Sequence, residues 1–148
     1  MLAFVVVLVV LVAPESASAC SCADDGEPDT LRGVDAAVTA RLIDVEREDP
    51  GDVNNMDATF TYRILRVYKG SRRYNLREGR KLVLENTTSG SACGLPTKEG
   101  KRYGLMLRKF QGELNTTSCG VVTPRQLRRA AERSANARSS GSGCTSAA

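Results

Sequence analysis

The sequence predicts a small, mainly β protein in which five strands form a barrel and one helix follows at the C-terminus. The first observation is a series of short segments with strand-like alternation, separated by turn residues, between residues 36 and 119. The second is that a helix start signal appears at Thr123-Pro124, after the last of these segments. Short strands at even spacing favour a closed or nearly closed barrel, and five strands with one helix suit an OB-like barrel.

Alternation of apolar and polar residues places the five strands. They are predicted over residues 36–45, 58–68, 81–85, 102–110 and 114–119. In the second of them Phe60, Tyr62 and Ile64 fall on one face, and Leu65 and Val67 fall on the other. Because both faces carry apolar residues, this strand is expected to be central or to bend between two packing environments.

The end of the chain has the signals of one helix. Thr123 is a good N-cap and Pro124 suits the first helical position, so a helix is predicted at about 124–138. Residues 139–148 are rich in Ser and Gly and are expected to form a flexible tail. The apolar stripe of this helix is predicted to consist of Leu127, Ala130, Ala131 and Ala135.

The N-terminus has the pattern of a signal peptide covering residues 1–19. The apolar run over residues 2–13 is too short to span a bilayer, and the small residues at 17–19 suit signal peptidase. Cleavage there gives a secreted protein with one domain at 20–144 and no transmembrane helix in the mature chain. The same residues also loosely resemble a lipobox, and in that alternative Cys20 is lipidated and anchors the protein at the cell surface.

Cysteine and histidine usage limits the chemistry. All five cysteines lie after residue 19, so an exported chain is expected to form disulfides and to leave one thiol over. The absence of histidine excludes a Ser-His-Asp unit and any zinc site that uses imidazole. The chain is therefore predicted not to be an enzyme and to hold no cofactor of its own.

The net charge of +4 is unevenly distributed. Acidic residues dominate up to Asp57, and basic residues dominate from there to Lys109 and again in the helix. One interpretation is that these charges lie on solvated strand faces. The other is a basic surface for an anionic polymer, formed by residues 66–81 and the Arg-rich tail. No aromatic stacking platform accompanies the basic residues, so nucleic acid is not an expected partner.

The mature chain would begin with Cys20-Ser21-Cys22. An N-terminal Cys offers an α-amine and a carbonyl, and two nearby thiols could hold both donors in place. Such a constellation can chelate a metal that belongs to another protein.

These residues lead to a family resemblance. The mature chain resembles the N-terminal, netrin-like (NTR) domain of the tissue inhibitors of metalloproteinases. The resemblance is carried by Cys20-Ser21-Cys22, the segments 37–41 and 60–70, Cys93-Gly94, the segment 100–105, Cys119, and the terminal helix with Cys144.

The resemblance implies two disulfides, Cys20–Cys93 and Cys22–Cys119, which would staple the N-terminus to the barrel. In an extended segment residues two apart point to the same side, which agrees with both cysteines facing the barrel. The family's third bridge would join Cys144 to a cysteine near position 32, where this chain has Arg32. Cys144 is therefore expected either to be unpaired within the domain or to pair between molecules.

By the same resemblance the protein would inhibit a metalloendopeptidase. Cys20 would supply amine and carbonyl to the catalytic zinc, which belongs to the protease, and Ser21 would enter the specificity pocket beside Cys22. The loop over residues 88–93 would flank them, with Thr88, Ala92 and Cys93 as its contact residues. The alternative is a non-inhibitory NTR module, secreted or lipid-anchored, that binds an extracellular protein or an anionic polymer.

Overall fold

A computed structural model describes residue 22, residues 28–48, residue 50, residues 56–89 and residues 93–141. The predicted leader and tail end, with Cys20, Ser21, Ala92 and Cys144, lie outside these residues. The elements are β1 (Ala36–Arg47), β2 (Asp57–Lys69), β3 (Lys81–Thr87), β4 (Arg102–Phe110), β5 (Glu113–Asn115), a 3-10 turn (Ser118–Gly120), β6 (Val121–Val122) and α1 (Pro124–Gly141).

All strand pairs are antiparallel, and the strands run in the order β3-β2-β1-β4-β5, with β6 pairing with β4. Side chains bridge the remaining gap between β3 and β5. Asn86 Nδ2 donates to Asn115 Oδ1 (3.2 Å) and to the Thr116 carbonyl, and Asn115 Nδ2 donates to the Glu85 carbonyl (3.0 Å). The predicted fold class, a nearly closed five-stranded barrel with one C-terminal helix, is confirmed.

The first four strands lie where alternation predicts them, but the single fifth strand predicted at 114–119 is wrong. The chain forms only the short β5 there, then leaves the sheet at Thr116 and re-enters it as β6. The reason is local: the Thr116 hydroxyl donates to the Met106 carbonyl (2.8 Å), and the Thr116 N–H donates to Asn115 Oδ1 (2.7 Å). Such side-chain bonds compete with the strand ladder.

The barrel interior is filled by the predicted inward face of β2. Phe60, Tyr62 and Ile64 are at most 1% exposed and pack with buried residues of β1, β3 and β4. The rings of Tyr62 and Tyr103 meet edge to face, 6.5 Å apart. Burial raises the pKa of Tyr62, so its hydroxyl stays protonated.

Helix α1 begins with a capping box. The Gln126 N–H donates to Thr123 Oγ1 (3.3 Å), and the Thr123 N–H donates to Gln126 Oε1 (2.9 Å). The helix continues to Gly141, three residues past its predicted end, so the first residues of the predicted tail are helical. No helix among the described residues is long and apolar enough to cross a membrane.

The buried face of α1 differs from the predicted stripe at one position. Leu127 and Ala130 are fully buried and Ala131 is half-buried, but Ala135 is exposed and Ser134 takes its place on the inner face. Ser134 follows Leu127 by seven residues, which returns it to the same side of the helix. Its hydroxyl accepts a hydrogen bond from the Leu31 N–H (2.7 Å).

That bond belongs to a clasp between α1 and the segment that precedes β1. Arg133 donates through Nε to the Asp29 carbonyl (2.6 Å) and through Nη2 to the Pro28 carbonyl (2.7 Å). Leu31 is 3% exposed and packs against α1. The clasp of Arg133, Ser134 and Leu31 joins the helix to the segment that contains Arg32. Because this segment has no cysteine, hydrogen bonds and packing hold it against the helix without a disulfide.

We expect the double substitution Arg133→Ala/Ser134→Ala to lower the free energy of unfolding by about 2 kcal/mol, because the three hydrogen bonds between α1 and the segment before β1 are lost. Urea unfolding of the double variant and of wild type measures this difference. Arg125→Ala on the exposed face of the same helix is the matched control, expected to change stability by less than about 0.5 kcal/mol. Equal losses in the two variants would show that the clasp adds no stability.

Candidate functional site

The N-terminal segment is fixed to the barrel at Cys22. A disulfide joins Cys22 to Cys119 across 97 positions of sequence, with the two Cα atoms 5.4 Å apart. Cys119 lies in the 3-10 turn Ser118–Gly120, between the two short strands β5 and β6. The turn between these strands therefore positions Cys119, to which the N-terminal segment is bonded.

A tight contact fixes the turn that carries Cys119. A Cβ at Gly120 would collide with the Thr116 hydroxyl and would lie 2.7 Å from the Met106 carbonyl oxygen. Only glycine leaves room for the Thr116–Met106 hydrogen bond beside the turn. The Thr116–Met106 hydrogen bond therefore attaches the turn that carries Cys119 to β4.

The loop after β3 lies next to this turn. The Ser118 N–H donates to the Cys93 carbonyl (2.9 Å), so the segments of Cys93 and Cys119 are in direct contact. Cys93 is also disulfide-bonded, and it has a positive φ of 59°. Since Cys22 and Cys119 are joined to each other, the partner of Cys93 lies outside the described residues.

Hydrogen bonds close the loop around Cys93. The Gly94 N–H donates to the Ser89 carbonyl (2.7 Å), and the Leu95 N–H donates to the Thr87 carbonyl (2.9 Å). A Cβ at Gly94 would collide with the Thr87 carbonyl oxygen, so the chain can return this closely only at a glycine. Leu95, which is 2% exposed, anchors the returning chain in the core.

Thr88 is half-buried, and its N–H and hydroxyl are already engaged. Its N–H donates to the Met56 carbonyl (2.7 Å), and its hydroxyl donates to the same oxygen (3.2 Å). Thr88 therefore joins the loop after β3 to the start of β2. Its surface remains available for contact, but its hydroxyl already has an acceptor.

We refer to Cys22, Thr88, Cys93 and Cys119 with their loops as the cysteine edge. The structure brings these predicted site residues together at one side of the barrel. Cys20, Ser21 and Ala92, the other predicted site residues, lie outside the described part of the chain. Within that part, no cluster of three or more His, Cys, Asp or Glu side chains could hold a metal ion.

An apolar groove beside Cys119 was not predicted from the sequence. It has a volume of about 570 Å³, and its walls include Val34, Met106, Phe110, Thr117 and Cys119. Phe110 is 66% exposed. The alternation of β4 could have indicated this groove. Phe110 follows Arg108 by two residues and Met106 by four, which places all three on the outward face.

Asp35 fixes the end of β4 that carries Phe110. Its carboxylate accepts from the Lys109 N–H (2.8 Å) and from the Tyr74 hydroxyl (3.2 Å). The Lys109 N–H is the main cause that holds the pKa of Asp35 below its ordinary value. Desolvation and the bond to Asp35 raise the pKa of Tyr74. The Asp35 carboxylate is therefore an acceptor that orders the groove wall.

Comparison with known proteins agrees with the cysteine pattern. No curated protein matches the chain in sequence. The family model described as "Tissue inhibitor of metalloproteinase" matches residues 18–147, which cover the barrel, the cysteine edge and helix α1. This chain therefore belongs to the tissue inhibitor of metalloproteinase family.

Proposed function

We propose that this protein inhibits a metalloendopeptidase by placing the amine and the carbonyl of Cys20 on the catalytic zinc of the protease. Metalloproteinase inhibition is the general function of the family to which the chain belongs. The observation that carries the specific proposal is the Cys22–Cys119 disulfide, which fixes the chain two residues after Cys20.

Chain geometry limits where Cys20 can lie. Two residues of fully extended chain span at most about 7 Å, so Cys20 stays within that distance of the fixed Cys22. Cys93 lies at the same edge, and the partner of its disulfide is outside the described residues. A Cys20–Cys93 bridge, as the family resemblance implies, would fix Cys20 on both sides.

Inhibition would act at the position on the catalytic zinc of the protease where the attacking water binds. A catalytic zinc keeps a coordination position for the water that attacks the substrate, and it can expand to five ligands. A neutral amine and a carbonyl oxygen of one residue can displace this water together. Disulfides that hold both donors in advance reduce the ordering cost of binding.

The neighbouring residues would set affinity and target choice. If both cysteines face the barrel, Ser21 points away from it and would enter the specificity pocket of the protease. Thr88, Ala92 and Cys93 would flank Ser21 and contact the rim of the protease's active-site cleft through shape complementarity. The protein needs no cofactor for this function, because the zinc belongs to the protease.

The proposal requires export and removal of residues 1–19, since only cleavage after Ala19 creates the Cys20 amine. A lipid on Cys20 would occupy its thiol and prevent the bridge to Cys93. The intact mass of the exported protein distinguishes the two forms. We expect the mass of residues 20–148 with no added diacylglyceryl group.

Competition with a small chelator tests the proposed function. The mature protein, beginning at Cys20, is assayed against a panel of zinc metalloendopeptidases with and without a hydroxamate that binds the catalytic zinc. We expect the protein and the hydroxamate to exclude each other, because both need the same coordination positions. Independent binding of the two would refute chelation, and a lack of inhibition across the panel would refute the inhibitor assignment.

A further inference from the structure

Four basic residues form a continuous row across four neighbouring strands of the barrel wall. Arg41 of β1 pairs directly with Arg63 of β2 on one side and with Arg102 of β4 on the other, and Arg63 pairs with Lys81 of β3. All four side chains are exposed. Directly opposed residues on neighbouring strands share one face, so these side chains form one cation row perpendicular to the strands.

The cation row is unfavourable for the barrel by itself. Like charges that lie directly opposite each other destabilise a sheet, and this row contains three such pairs in succession. Among the described residues no carboxylate forms an ion pair with any of the four. The acidic residues of this face lie farther along the strands, at Asp44 in the next row and at Glu46 and Glu85 beyond it.

We propose that the cation row binds a linear anionic polysaccharide that crosses the strands. Neighbouring strands lie about 4.8 Å apart, so the row extends over about 14 Å along the curved barrel wall. Three of the four are guanidinium groups, which bind the oxygens of sulfate or carboxylate groups in a bidentate manner. A chain with several regularly placed anionic groups matches this row, whereas a single small anion would contact only part of it.

Nucleic acid fits this surface less well. Single-stranded nucleic acid is bound through aromatic side chains that stack on the bases. The large hydrophobic side chains exposed in the described part of the chain are Met56, Val83 and Phe110, of which only Phe110 is aromatic. Phe110 lies at the opposite end of β4 from Arg102, about 26 Å away along the strand.

The cation row is separate from the cysteine edge. Lys81 is the first residue of β3, and Thr88 follows its last residue. Seven residues of strand separate them by about 23 Å, which leaves room for a polysaccharide and a protease at the same time. Binding at the row therefore does not depend on the proposed inhibitory mechanism.

The test is isothermal titration of the folded protein with a heparin oligosaccharide, with an oligogalacturonate and with a neutral dextran. We expect heparin or oligogalacturonate to bind, more weakly as salt is raised, and dextran not to bind. The two anionic probes distinguish sulfate from carboxylate as the preferred group. The Arg41→Gln/Arg63→Gln variant should lose about tenfold in affinity, since two exposed ionic contacts are removed.

The matched control is Arg32→Gln/Arg125→Gln, which removes the same charge away from the row and should cost less than about twofold. Thermal unfolding should show Arg41→Gln/Arg63→Gln to be at least as stable as wild type, because like-charge repulsion is relieved. Equal losses in the two double variants would overturn the proposal in favour of a diffuse effect of net charge. Tighter binding of single-stranded DNA of matched charge, or of dextran, would overturn it as well.

Discussion

Adding one alanine before Cys20 should abolish inhibition while leaving the barrel folded. The extension converts the Cys20 amine into an amide, which is a poor zinc donor, and moves the new amine about 3.5 Å away from the position that the disulfides fix. We expect the inhibition constant to rise by roughly a thousandfold or more, which corresponds to about 4 kcal/mol of binding energy. The measurement is inhibition of one zinc metalloendopeptidase by the two proteins in parallel.

Two controls separate chelation from damage to the fold. Thermal unfolding should be the same with and without the extra alanine, since the Cys22–Cys119 disulfide remains. An alanine added after Ala148 should leave inhibition unchanged. If the N-terminally extended protein inhibits as well as the native form, chelation by the Cys20 amine is excluded.

Removing the Cys22–Cys119 bridge should have the largest effect on stability. The bridge closes a loop of 97 residues, for which the chain-entropy model gives about 4–5 kcal/mol. The double variant Cys22→Ser/Cys119→Ser removes the bridge without leaving a free thiol. We expect its free energy of unfolding to fall by about this amount in denaturant titration.

The same variant should also inhibit poorly, because the bridge that fixes the chain two residues after Cys20 is then lost. Cys144→Ser is the matched control, since Cys144 is predicted to close no bridge within the domain, and it should leave stability nearly unchanged. A double variant as stable as wild type would show that packing alone holds the N-terminal segment. A large loss for Cys144→Ser would show that this thiol is paired.

Much of the fold was predictable because burial on one face imposes a two-residue period. That period correctly places β1 to β4 and the inward positions Phe60, Tyr62 and Ile64. It fails after Leu114, where Thr116 donates hydrogen bonds to the Asn115 side chain and to the Met106 carbonyl, and these bonds rather than alternation determine the chain path. The helix stripe fails only at Ala135, where the half-buried, hydrogen-bonded Ser134 lies on the inner face instead.

The site was predictable to the extent that it depends on cysteines. Cys22 and Cys119 meet as the family pattern implies, but that pattern says nothing about the groove beside them, which depends on which neighbours leave Phe110 uncovered. The cation row could not be predicted either. Three register shifts between β1 and β2 decide which arginines lie opposite each other, and such irregularities have no clear signal in one sequence.

A crystal structure of the complex is the direct test of whether Cys20 coordinates the zinc of a protease. The protein, beginning at Cys20, is crystallised with a zinc metalloendopeptidase that it inhibits. We expect the Cys20 amine nitrogen and carbonyl oxygen both at about 2.0–2.2 Å from the zinc, with no water in that position. A zinc that keeps its water, with Cys20 outside its coordination sphere, would refute chelation.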